Sequence, residues 1–130
     1  YQICDVTTVS PQPLCSIGMV IVNVSLNTPE NHPPIANNNS ASTSSIVPVT
    51  IQVLANDADP DIGDTRRISD VNTTGTLGTV TFDPTGQVLV YSANGKSLDA
   101  LAAGATTTDT FGYSVSDGAG ATAMATGRLS

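Results

Sequence analysis

The chain has 130 residues, of which 39% are apolar, only 12% charged and 4% aromatic, with no tryptophan. Eleven acids against four bases leave a net charge of −7, which argues against nucleic acid and anionic membranes as partners, because both need clustered Lys and Arg. One histidine and two cysteines leave most hydrolase, oxidoreductase and zinc-site arrangements short of parts, so an enzyme is not expected.

Tyr1–Asp5 alternates apolar and polar residues, and so does the longer run from Ile17 to Leu26. Between them, Pro11 and Pro13 mark a loop. The pattern is that of a β-hairpin with Cys4 and Cys15 near its base, where a disulfide can form. Such a bond places the protein in an oxidising compartment, secreted or on the cell surface. The start of the chain reads as a strand and not as a charged signal segment, and no apolar run reaches the roughly 20 residues of a membrane helix, so membrane insertion is not expected.

Residues 27–36 carry three prolines and form a stiff linker. The polar stretch 37–45 follows, an exposed strand or loop. Ile46–Leu54 alternates well and predicts the first strong strand. Ala55–Asp64 is an acidic loop, Arg66–Val71 a short strand, and Leu77–Phe82 with Gln87–Tyr91 a hairpin about a Pro-Thr-Gly turn. Ser97–Ala105 has the composition of one helical turn. Thr110–Ser116 and Ala121–Leu129 close the chain around Asp117-Gly118-Ala119-Gly120. Strands at this spacing predict an all-β, antiparallel β-sandwich of immunoglobulin-like type over 37–130. Period-two alternation turns Val49, Ile51, Val53, Ile68, Val80, Phe82, Val88, Val90, Phe111, Tyr113 and Val115 inward.

The closing strands also repeat the opening ones. In order, Tyr1 falls on Tyr113, Ile3 on Val115, Asp5 on Asp117, Met19 on Met124 and Ser25 on Ser130. Residues 1–26 therefore read as the last hairpin of one module and 37–130 as a complete one, joined by the linker. A two-stranded hairpin is marginal alone in water, so this one is expected to pair with something.

Asp57, Asp59, Asp61 and Asp64 fall within eight residues. Carboxylates this close repel unless solvated or bridged by a cation, and Ca²⁺ accepts 6–8 oxygens from flexible loops. An EF-hand is excluded, because Ile62 and Ile68 stand where that loop needs Gly and Glu. Asp117, Asn31, Glu30 and backbone carbonyls are the candidates for completing a shell. Arg66 and Arg67 balance the loop's charge, and His32, with no second ligand beside it, reads as a surface residue. Asn23, Asn38 and Asn72 each open an N-glycosylation sequon.

The stretches PPIANNNSAST, VLANDADPDIGD, TFDPTGQVLVYSANG and LDALAAGATTTDTFGYSVSDGAGATA resemble the VCBS and cadherin-like tandem repeats of large bacterial surface adhesins. The resemblance covers about 27–130 and implies export, an extended array of modules, and calcium stiffening the joints. It places the acidic loop on Asp57, Asp59, Asp61 and Asp64 and the turn acid on Asp117. Two departures are Asn37–Asn39, where the family is richer in Asp, and Ile62, which lengthens the acidic loop. The expected function is a non-enzymatic extender whose partners are adjacent modules. One alternative is an extracellular filament whose identical subunits complete one another by strand addition. Another is a calcium-dependent module binding a surface glycan, which would need aromatic platforms where this chain has few aromatics.

Overall fold

A computed structural model describes residues 2–4, 15–25, 28–44, 47–93, 98 and 101–130. The strands are β1 (Gln2–Cys4), β2 (Cys15–Ile17), β3 (Asn39–Ala41), β4 (Val49–Ile51), β5 (Arg67–Asn72), β6 (Thr79–Phe82), β7 (Leu89–Ser92), β8 (Asp109–Ser116) and β9 (Thr122–Leu129). One sheet has the order β3-β9-β8-β5 and the other β4-β7-β6. All pairings are antiparallel except β3 with β9, which is parallel. The chain is an all-β protein, a two-sheet sandwich of the immunoglobulin-like type that the strand spacing predicts.

The alternating strands put one face of each sheet into a shared core. Ile68, Phe111, Tyr113, Val115, Ala125 and Leu129 enter it from the four-stranded sheet, and Ile51, Val80, Leu89 and Tyr91 from the other. Burial of these side chains is the main force holding the layers together, at roughly 1.5–3 kcal/mol for each large one. Gly127 makes room for the Phe111 ring on the neighbouring strand of the same sheet, since a Cβ there would overlap it.

Several sequence expectations need correcting. Ile46–Leu54 is not one long strand: the ladder ends at Ile51, and Val53–Asn56 turns into a short 3-10 segment with Val53 fully buried. In β7 the inward residues are Leu89 and Tyr91, not Val88 and Val90, which are half-buried. Val-Leu-Val-Tyr is apolar at every position, so alternation cannot choose a face; the Tyr91 hydroxyl and its carboxylate partner do. Phe82, at the end of edge strand β6, is partly exposed. The expected strand from Ile17 onward stops at Ile17, and Met19–Ser25 pairs with no strand among the described residues. The expected helical turn at Ser97–Ala105 falls largely outside the described residues.

Cys4 and Cys15 face each other in the β1–β2 ladder and are joined by a disulfide. Among the described residues, no helix is long and apolar enough to cross a membrane.

Candidate functional site

The acidic loop, the linker and the β8–β9 turn meet at one pole of the sandwich. An antiparallel bridge between Ile35 and Ala58 brings linker and loop together, through N–H···O bonds of 2.8 and 3.0 Å. Beyond it the loop curls, with Gly63 at φ +102° supplying a left-handed conformation that glycine adopts freely. The Asp61 N–H donates to Asp59 Oδ1 at 2.9 Å, and the Asp64 N–H to the Asp61 carbonyl at 3.3 Å. As a result, one carboxylate oxygen from each of Asp59, Asp61 and Asp64 lies within 4.8 Å of the others.

Asp117 belongs to the same pole. Its Oδ1 accepts the N–H groups of Ala119, Gly120 and Ala121 at 2.7–3.1 Å, which fixes the turn. Its Oδ2 accepts from Asn31 Nδ2 at 2.8 Å. The Asn31 bond, more than any other contact, holds the Asp117 carboxyl below the usual carboxylate range. Asp61 is held low in the same way by the His32 backbone N–H and ring. The His32 N–H lies 2.5 Å from Asp61 Oδ2, and its Nδ1 lies 3.0 Å from Oδ1. Asp64 has no such donor among the described residues: desolvation, then the charges of Asp59, Asp117 and Asp61, push its carboxyl up.

Asp57 stands apart from this group. The backbone there is extended, and Oδ1 accepts the Asn37 N–H at 2.7 Å. The residue is buried, which raises its carboxyl above the ordinary range despite Asn37 and the charge of Arg66. Of the five sequence candidates, the structure brings together Asp59, Asp61 and Asp64, sets Asp117 close enough to act on two of them electrostatically, and uses Asp57 to hold Asn37, just after the linker. Asn31 and His32 both touch the cluster.

Two features were not anticipated. The first is the asparagine network: Asn39 Nδ2 reaches Tyr113 Oη at 2.8 Å and the Val53 carbonyl at 3.1 Å, while the Tyr113 hydroxyl donates to the Asn37 carbonyl at 2.7 Å. An aspartate at position 39 could accept but not donate, so the asparagine serves a structural role there. The second is Asp109, near the opposite end of β8. It is buried and accepts from Tyr91 Oη at 2.6 Å and from the Leu77, Gly78 and Thr110 N–H groups at 2.9–3.0 Å. Burial is the largest influence on its carboxyl and pushes it up, but the donors together outweigh it and hold it low. Nothing in the TDTF segment alone marks this residue, because apart from the adjacent Thr110 its partners lie 18 to 32 positions away.

Tyr91, Phe111 and Tyr113 are core residues, which leaves only Phe82 partly exposed among the aromatics of the sandwich.

This architecture accords with comparison to known proteins. The family model for the bacterial Ig domain matches residues 31–130, and the chain belongs to that family. Domains of this family are generally structural and non-enzymatic, and are typically extracellular or surface-exposed. No curated protein matches. Among solved structures, a nucleoside hydrolase-related hypothetical protein from Saccharophagus degradans, associated with carbohydrate metabolism, is similar at 15% identity and a TM-score of 0.45. The alignment covers 76% of this chain and 25% of that one, and a likeness this slight carries no inference about function.

Proposed function

We propose that the chain is a structural repeat module of a secreted or cell-surface bacterial adhesin, of the VCBS or cadherin-like kind, in which calcium stiffens the joint ahead of the sandwich. One observation carries the reading: the linker residue His32 is bonded to Asp61, one of the three converging acids Asp59, Asp61 and Asp64, and its neighbour Asn31 is bonded to Asp117 beside them. A cation held there acts on the linker and the module together.

The residues present fit calcium. They offer hard carboxylate oxygens on a glycine-turned loop, as Ca²⁺ prefers. Asp59 Oδ2 is buried with no hydrogen-bond partner among the described residues, an acceptor that a cation would satisfy. Asp59, Asp61 and Asp64 would hold the ion, with Asp117 contributing charge beside them. The bound ion would neutralise the cluster and fix the loop.

The test is a thermal melt of the chain in millimolar calcium and in excess chelator, repeated with Asp61→Asn and Asp64→Asn. The reading expects calcium to stabilise the parent chain and not the double variant. Equal melting of the parent in both buffers would remove the metal from it.

A second reading, a filament built by strand addition, is favoured by the apolar exposure of residues 17–24, where Ile17, Met19, Ile21 and Val22 are all largely accessible. A single monomeric species at high concentration would exclude it.

A further inference from the structure

The exposed segment after β2 has a counterpart inside the same molecule. Ile3 occupies the place of Val115, and Val20 and Val24 occupy places equivalent to the inward face of β9. The fates of the two sets differ sharply: Val115 and Leu129 are 0% and 2% exposed, while Ile3 and Val24 are 63% and 79% exposed. The ladder fixes the equivalence more closely than sequence matching does. Cys4 pairs with Cys15 and Ile3 with Ser16, as Ser116 pairs with Thr122 and Val115 with Ala123. This register sets Val20 on Gly127 and Val22 on Leu129, two residues away from the sequence match. A two-residue shift leaves every side chain on the same face, so Val20, Val22 and Val24 face inward in either alignment.

In the complete sandwich these two strands are never an edge pair. β8 is flanked by β5 and β9 by the parallel strand β3, and their inward faces lie on the opposite sheet. We infer that residues 2–4 and 15–25 are the closing hairpin of a second sandwich of this kind, one that supplies β3- to β7-like strands and lacks its own last two. Val20, Val22 and Val24 enter its core, and Val20–Val24 lies beside its parallel β3-like strand. A second copy of this chain is a poorer occupant, because its β3 and β5 ladders are already filled by its own β9 and β8. This inference rests on the repeat-module reading and specifies the surface by which one module is completed by the next stretch of chain.

The test extends the full chain at its N-terminus with residues 27–112 of its own sequence, so that the junction Gly112–Tyr1 reproduces Gly112–Tyr113. Hydrogen exchange is then followed in residues 17–25, which occur once in the extended chain. The expected result is exchange slowed at least about tenfold at Val20–Val24 relative to the unextended chain. A second cooperative melting transition should also appear, with the protein still monomeric. Val22→Asp should abolish both effects and leave the exchange of residues 113–130 unchanged. Unprotected Val20–Val24, or protection only in concentration-dependent oligomers, overturns the inference. Failure of 113–130 to show cooperative protection would instead count against the module reading itself.

Discussion

The closing strands β8–β9 and the hairpin β1–β2 are two versions of one pattern in different surroundings. In the first, Val115, Ala125 and Leu129 lie in a core with a strand on either flank. In the second, Ile3, Val20 and Val24 are exposed, although the chain is if anything more apolar there. Alternation alone therefore does not make a stable strand. It needs a ladder partner on its edge and a second layer across its face.

The largest expected effect follows directly. Leu129→Ala should cost about 2–5 kcal/mol of stability as a core truncation, whereas Val24→Ala in the same chain should stay within about 0.5 kcal/mol, as for a surface change. Denaturant melts of the two variants measure the difference, and equal costs would break the comparison. Reducing the Cys4–Cys15 bond should release the hairpin, whose closed loop is worth about 3 kcal/mol by chain entropy, while leaving the melting of the sandwich unchanged. Exchange of the Gln2–Cys4 and Cys15–Ile17 amides with and without reductant reads this out.

Asp109→Asn should destabilise the sandwich by about 1–3 kcal/mol, because Tyr91 and the Leu77 and Gly78 amides lose a charged acceptor. The same variant has a pH signature. Asp109 and Asp117 sit below the ordinary carboxylate range, and Asp83, bonded by its turn's Thr85, Gln87 and Val88, is lowered to about 2. A depressed carboxyl contributes stability that is complete above its unfolded value of ~3.9 and is lost as pH falls through the folded one. The acid limb of stability should therefore lie below about pH 4, and Asp109→Asn should make it shallower in melts taken between pH 5 and 2. The smallest effect is expected for Asn31→Ala, which removes one of the donors to Asp117 Oδ2 and loosens the linker at a cost of about 0.5–1.5 kcal/mol.

Much of this was legible in the sequence, for physical reasons that particular residues show. β8 and β9 were read to within a residue because polar and apolar positions alternate through them. β7 was not, because Val88–Tyr91 is apolar throughout and only the Tyr91–Asp109 bond selects the inward face. Alternate spacing pointed to Asp57, Asp59 and Asp61 as the side chains a curling loop would bring together, whereas the structure brings together Asp59, Asp61 and Asp64. Asp57 shares that spacing but lies before the Ile35–Ala58 bridge, where the extended backbone turns it toward Asn37. The roles of Asp109 and Asn39 depend on contacts distant in sequence, and no local pattern signals them. His32 read as a surface residue; its backbone and ring both meet Asp61 only because the bridge folds the linker back over the loop.

The measurement closest to the central claim is the melting temperature of the full chain in millimolar calcium against excess chelator. Calcium at ~100 times its dissociation constant adds ~2.7 kcal/mol, which for a sandwich of this size is roughly 10–20 °C. The account predicts a rise of that order, lost with Asp61→Asn and Asp64→Asn together. Superimposable melts would contradict it: the acids would then be held by their hydrogen bonds alone, and no cation would stiffen the joint.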